Sequence, residues 1–198
     1  MKKFSRKFEK LLDVIHLTHE FREVERHARV PHGKRFENDV EHSYQLAMLS
    51  WFLIEEEKLK LSKEKCLMYA LAHDLVEIYA GDTYVFDEAH ALTKKKREAA
   101  ALKKIQKRFP HFKNLMHIIE QYEGKKDKES RFVYALDKLV TPMQVYMEGG
   151  KLWKESGVTL GKLIQHKSAK IAVSDEVDAY WQELLAELRR GEKKYFPR

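Results

Sequence analysis

Apolar residues along this chain recur mostly at steps of three and four, and strict alternation over a strand length is scarce. Helices are therefore expected throughout. The first spans about Phe8 to Arg26, with Leu11, Leu12, Ile15, Leu17 and Phe21 on its apolar side. Ala28–Asn38 reads as a loop around Pro31 and Gly33. A second helix runs from Asp39 to about Glu57. Ser62 can cap a third that ends at Gly81, a good residue just past a helix end. Asp82–Ala91 reads as a loop, and Thr93 can cap a long charged helix that stops before Pro110. Another helix covers Phe112–Glu123 and ends at Gly124. Ser130 opens the next, which Pro142 can kink and Gly149-Gly150 ends. Helices over Leu160–Lys170 and Ser174–Arg190 complete the chain. With only eight Gly and four Pro, the expected fold class is all-α, a helical bundle.

Composition bounds this picture. A hydrophobic share of 43% in 198 residues is enough for a real core and excludes wholesale disorder. One domain over residues 1–198 is the expectation. No apolar run approaches the roughly 20 residues needed to cross a bilayer. Acidic and polar residues soon interrupt the apolar pattern of the basic N-terminus, so it does not read as a secretory signal. The single cysteine, Cys66, excludes an internal disulfide and a Cys-rich zinc site, and it reads as a small core residue. A cytoplasmic location without membrane contact fits these features. The formal net charge of +7 suits an anionic partner or a lysine-rich solvated surface.

Chemistry shows where ionisable side chains break core-facing stripes. The third helix is apolar nearly all the way round, which suits a central position. It nevertheless carries His73, Asp74 and Glu77, which can share one side. On the second helix His42 shares a stripe with Leu46, Leu49 and Leu53. On the helix from Ser130, Asp137 lies among Val133, Leu136 and Val140. Each has a bland reading: an inward His can be a hydrogen-bonded core residue, and Asp137 could pair with Lys138. Three helices giving up apolar positions shift the weight towards a site. A buried carboxylate needs a partner or a metal. Mixed imidazole and carboxylate donors suit a divalent ion such as Mn²⁺, Fe²⁺, Co²⁺, Ni²⁺, Zn²⁺ or Mg²⁺.

The motifs Glu41-His42-Ser43, Ala72-His73-Asp74-Leu75-Val76-Glu77 with Gly81-Asp82-Thr83, and Leu136-Asp137-Lys138 resemble those of the HD-domain phosphohydrolases. The extended forms are similar to the subgroup that includes the 5′-deoxynucleotidases. The resemblance covers about Glu23 to Val145; the C-terminal helices, about 150–190, match only in being helical. It implies an all-α HD fold and a divalent metal held by His42, His73, Asp74 and Asp137. It implies hydrolysis of a nucleoside 5′-monophosphate, preferentially the deoxy form. Glu77 corresponds to the glutamate that activates or positions the attacking water. Asp82 corresponds to the aspartate that borders the substrate, with Thr83 next to it. Arg26, Arg29 and Arg35 are all candidates for the arginine that orients the phosphate. His27 stands where bacterial deoxynucleotidases carry an aromatic residue that helps select the sugar.

Two other readings stay open. The chain could act on another nucleotide or phosphoester. It could also be a non-catalytic nucleic-acid-binding or regulatory protein, with Lys94-Lys95-Lys96-Arg97 as its basic tract. That tract reads better as a solvated helix end, so nucleic acid is disfavoured as a partner. Trp51, Trp153 and Trp181 read as packing residues, and His90 could approach the substrate. A homodimer is left open, with the C-terminal helices as a source of interface.

Overall fold

The computed structural model describes residues 4–30, 35–82 and 88–197, with the backbone alone for 88–91. The architecture is all-α, as expected, with one small hairpin. Helix α1 (Arg6–Arg22) is capped by Ser5, whose hydroxyl accepts the Phe8 amide. It stops short of the expected Arg26. Leu17 and Phe21 are buried, whereas Leu11 and Ile15 of the expected apolar side are exposed.

The segment after α1 departs furthest from expectation. Strand β1 (Glu25–Arg29) pairs antiparallel with β2 (Phe36–Asn38). Along β1 the inward residues are Arg26 and Ala28, a period of two. Five residues are too few for that period to stand out in the sequence. The hairpin feeds directly into α2 (Asp39–Glu56), which opens with a capping box. The Asn38 side chain accepts the Glu41 amide at 3.0 Å, and Glu41 accepts the Asn38 amide at 3.2 Å.

Ser62 caps α3 (Lys63–Ala72), and Gly81 closes the next helix with φ +73°. Between them the expected single helix breaks. The amides of Leu75, Glu77, Ile78 and Tyr79 bond carbonyls three residues back, Glu77 to Asp74 at 2.8 Å. This tighter winding aligns side chains three apart, which brings Asp74 and Glu77 to one side. A short α4 (Glu77–Ala80) follows. Helix α5 (Glu88–Arg108) begins upstream of Thr93. Thr93 is thus not a cap but a mid-helix residue whose hydroxyl accepts from Arg97. Helix α6 (Lys113–Glu123) ends at Gly124 as expected.

Helix α7 (Lys128–Met147) is capped by Asp127 rather than opened at Ser130, and Ser130 is the reciprocal partner in its capping box. Pro142 lies inside α7 without ending it. This helix is the centre of the core. Phe132, Val133, Ala135, Leu136, Leu139 and Val140 are each at most 2% exposed. It packs against α2, α3 and α6 and, on its other side, against α9 (Leu160–Ile171) and α10 (Asp175–Arg190). Trp181 of α10 is fully buried, and its indole N–H donates to Ser168 at 3.0 Å. Trp153 packs too, on α8 (Lys151–Glu155), stacked on Phe196. Trp51 does not; it is half exposed. Among the described residues no helix is long and apolar enough to cross a membrane.

The turn between α7 and α8 is locked by the C-terminal helix α11 (Glu192–Tyr195). Gly150 has φ +75°, and a Cβ there would lie 2.0 Å from the Tyr195 carbonyl oxygen. Gly150→Ala combines left-handed strain with a backbone clash, each about 1–3 kcal/mol. A drop in Tm of roughly 5–15 °C is expected by calorimetry for a chain of this size.

Candidate active site

His42, His73, Asp74, Glu77 and Asp137 converge from α2, the α3–α4 turn and α7. His42 is fully buried, His73 1% exposed, Asp137 3% and Glu77 5%. Asp74 is partly exposed. Nε2 of His42 lies 3.0 Å from Oδ1 of Asp137, and Nε2 of His73 lies 2.9 Å from Oδ2 of Asp74 and 4.0 Å from Oδ1 of Asp137.

The tautomer of His73 decides what this cluster can hold. Its Nδ1 lies 2.9 Å from the Ala70 carbonyl, which can only accept. Nδ1 therefore carries the proton, and in the neutral ring Nε2 presents a lone pair to two carboxylates. That atom is buried and has no hydrogen-bond partner among the described residues. A lone pair facing carboxylate oxygens needs a positive species between them. Burial opposes the charged form of His73, but Asp74 and Asp137 outweigh it and raise its pKa. Without an ion a proton fills the gap. With one, the donor atoms of His42, His73 and Asp137 lie within 4.8 Å of each other. Neighbouring donors around an ion with bonds of about 2.1 Å sit about 3 Å apart, which the two short separations match. The residues fit a divalent metal.

The second oxygen of Asp137 is committed elsewhere. Lys138 donates to Oδ2 at 2.5 Å and the Tyr122 hydroxyl at 3.3 Å. The bland Asp137–Lys138 pairing is therefore real, yet it leaves Oδ1 facing the two histidines. Burial would raise the Asp137 pKa, but Lys138 and the histidines hold it well below the usual carboxylate range.

Of the three candidate arginines, Arg26 alone reaches the cluster. Its Nη1 donates to Asp74 at 2.6 Å and Asp39 at 3.1 Å, and its Nε lies 3.6 Å from Glu37. Nη2 makes no hydrogen bond among the described residues. Arg29 instead pairs with Glu155 at 3.2 Å and lies over the Phe36 ring. Arg35 forms a two-pronged pair with Glu41 at 2.5 and 2.7 Å. Asp82 accepts the His27 amide at 3.2 Å, tying the end of α4 to β1. Thr83 and the side chain of His90 lie outside the described residues.

A second carboxylate group, Asp39, Asp74 and Glu77, abuts the first, again with oxygens within 4.8 Å. Burial and the neighbouring Asp74, Asp39 and Asp82 raise Glu77 well above its ordinary value, against the pull of Arg26. Its Oε2 is buried without a partner among the described residues. Burial and Asp74 push Asp39 up to about 7, against Arg26. The basic tract is solvated only in part and lies inside α5 rather than at its end. Lys94 lies 3.9 Å from Glu77 and 3.2 Å from Glu98, and Arg97 donates to the Ala80 carbonyl. Lys95 and Lys96 are exposed.

Sequence reasoning passed over Glu37, Asp39, Tyr122 and Lys167. Asp39 sits in the first turn of α2, where an acid is unremarkable for capping reasons. Tyr122 hides in the apolar stripe Leu115, Ile118, Ile119, Tyr122. Lys167 had a readable signal: Leu160, Leu163, Lys167 and Ile171 form the inward stripe of α9. Burial and Lys138 lower its pKa to about 7.

Comparisons with known proteins agree with this geometry. The family model of the HD domain matches residues 18–180. A human protein, 5′-deoxynucleotidase HDDC2, is 30% identical over 131 residues, 65% of this chain and 63% of its own length. The chain thus spans less than two thirds of that relative. The 5′-deoxynucleotidase hdd1 of Schizosaccharomyces pombe is 26% identical over 76% of this chain and 81% of its own. A crystal structure of a predicted metal-dependent phosphohydrolase from Magnetospirillum magnetotacticum superposes with a TM-score of 0.84 over the whole of both chains, at 28% identity.

An ion that binds the folded chain alone stabilises it by mass action, about 2.7 kcal/mol at a hundredfold excess over Kd. Added Mn²⁺ or Co²⁺ should raise Tm by roughly 5–10 °C, and chelation should reverse it. His73→Ala should abolish the rise, as read by thermal denaturation with and without metal.

Proposed function

The chain belongs to the HD domain family, and on that premise we propose that it is a metal-dependent enzyme releasing phosphate from nucleoside 5′-monophosphates, deoxyribonucleotides foremost. The metal ligands in this reading are His42, His73, Asp74 and Asp137. The observation that carries it is Glu77: a buried carboxylate with raised proton affinity and an unpartnered oxygen, beside those donors. A carboxylate whose proton affinity is raised by burial and neighbouring acids is a stronger base than an ordinary one. The likeness to 5′-deoxynucleotidases supports the substrate class.

A bound divalent ion polarises a phosphoryl oxygen and lowers the pKa of water. Glu77 takes the proton of the attacking water, whose oxygen forms the new P–O bond. The bond from phosphorus to the 5′-oxygen breaks, and that oxygen leaves as the nucleoside hydroxyl after gaining a proton. Asp82, at the end of α4, is the group assigned to border the sugar or supply that proton. Arg26 is held by Asp74 and Asp39 through one nitrogen, which leaves Nη2 to meet a phosphate oxygen. Arg29 and Arg35, each paired with its own glutamate, have no part in this reading. One buried, free cysteine is compatible with the cytoplasm, where we place the chain.

Phosphate release from deoxyribonucleoside monophosphates should depend on added metal. Glu77→Gln should retain the metal and lose about 10²–10⁴ in kcat. No release from any monophosphate by the metal-loaded chain would defeat the reading.

The chain in this reading pairs with a second copy through α2. Val40, Tyr44, Met48, Trp51 and Phe52 form an exposed apolar ridge on that helix, with Met143 and Met147 of α7 also exposed. A cleft lined by Val30, Met48 and Leu49 opens on the same helix. A ridge and a cleft on one face can fit each other in a two-fold pair. The C-terminal helices, the expected source of an interface, expose no large apolar residue among the described residues. Light scattering should find a dimer for the unaltered chain and a monomer for Phe52→Asp.

A further inference from the structure

Helix α9 packs on α7 and α10, and its buried residues are Leu160, Leu163, Lys167 and Ile171. In that apolar stripe Lys167 is an anomaly. It is 7% exposed, and among the described residues it makes no hydrogen bond or ion pair. Buried lysines are almost always paired, because an isolated ammonium is costly to take out of water.

The charges that act on Lys167 do not compensate it. Lys138, Lys170 and Arg26 repel it, and Asp137 alone attracts it. Asp137 has nothing left to give. One of its oxygens faces His42, and the other already accepts from Lys138 and Tyr122. The stem of Lys167 is therefore enclosed near Asp137 and Lys138 in a surplus of positive charge, with Nζ open enough to meet a ligand. Lys94 adds to that surplus from α5, where it acts on both Lys138 and Lys170. Such a cation lacks an anion, and the protein does not supply it.

We propose that Lys167 is an oxyanion-binding residue of the candidate active site, contacting the phosphoryl group from the α7–α9 side while Arg26 approaches from the hairpin. The proposal rests on the phosphohydrolase reading for its substrate and on the burial and neighbours of Lys167 for its anion. A phosphoryl dianion is the chemical class that fits a site of several converging ammonium and guanidinium groups. The same chemistry belongs to the phosphate of a substrate and to the inorganic phosphate released from it. The competing account is that the butyl stem fills the core and Nζ reaches past it to water.

The deciding experiment is calorimetric titration of inorganic phosphate into the full chain loaded with Mn²⁺, with bound metal measured for each sample. Lys167→Met keeps the stem and removes the charge. It should weaken phosphate binding about 10- to 100-fold, the usual effect of a hydrogen bond to a charged group, without changing metal content. Lys167→Arg should stay within a few-fold of the unaltered chain. Lys167→Gln serves as a second neutral variant should the Met form fold poorly, with the same loss expected. In hydrolysis of a deoxyribonucleoside monophosphate, the Met form should raise KM more than it lowers kcat. Phosphate affinity unchanged in a neutral variant of full metal content would overturn the proposal. Phosphate binding that depends on Lys167 in a chain that hydrolyses no monophosphate would uphold the anion site and defeat the substrate reading instead.

Discussion

A lone pair on His73 facing the carboxylate of Asp74 at 2.9 Å is the contact on which the site turns. It cannot persist as neutral imidazole against bare carboxylate, so a proton or a metal ion must lie between them. The backbone makes the choice of nitrogen irreversible, because the Ala70 carbonyl claims the other ring N–H. The rest of the centre follows from burying this pair. His42 and Asp137 bring further donors. Lys138 and Tyr122 hold the outer oxygen of Asp137, while Nδ1 of His42 lies 3.6 Å from Glu37 without a hydrogen bond among the described residues. Such outer contacts orient metal-binding side chains.

Two local departures from regular helix make the arrangement possible. The tightened winding between α3 and α4 sets Asp74 and Glu77 almost directly one above the other, closer in register than a continuous helix would place them. The short hairpin between α1 and α2 then carries Arg26 across that turn, so that one guanidinium nitrogen meets Asp74 and Asp39 together. Asp82 completes the link by accepting an amide of the hairpin. The acidic side of the site is thus assembled from a strand, a turn and the start of a helix. The core helices α2 and α7 supply the rigid remainder.

How much of this was legible in the sequence depended on the length of each pattern. His42, Asp137 and His73 stood out because each interrupts an apolar stripe longer than two helical turns. Helices α2, α6, α9 and α10 were legible for the same reason, and Asn38, Asp127 and Thr159 cap their helices by ordinary chemistry. The hairpin was not, since five- and three-residue strands carry too few alternations to register. The choice of Arg26 over Arg29 and Arg35 was invisible too. It depends on which side of a short strand faces the core, and a shift of one residue would reverse it. Trp51 misled, because a tryptophan in a helix reads as packing until its surroundings are known. Lys167 was legible by the rule that exposed His42, but a lysine in a stripe is discounted more readily than a histidine.

The charges around the centre divide by element, and the division bears on how a basic chain handles a buried acid. Glu37, Asp39, Asp74, Glu77 and Asp82 come from the hairpin, the start of α2 and the α3–α4 segment. Lys94, Lys138, Lys167 and Lys170 come from α5, α7 and α9. Among the described residues the acids outnumber the cations in contact with them, Arg26 and, at 3.9 Å from Glu77, Lys94. Two of them, Glu77 and Asp39, consequently have raised proton affinity. That imbalance suits the addition of a divalent ion, whose two charges replace protons the acids would otherwise retain. Of the lysines, Lys94 and Lys138 are paired with acids, whereas Lys167 and Lys170 are unbalanced in the opposite sense, Lys167 most of all. An ion and an oxyanion entering together would correct both deficits at once, whereas either alone corrects one. The site is built from two incomplete halves that a metal with its phosphoryl ligand completes.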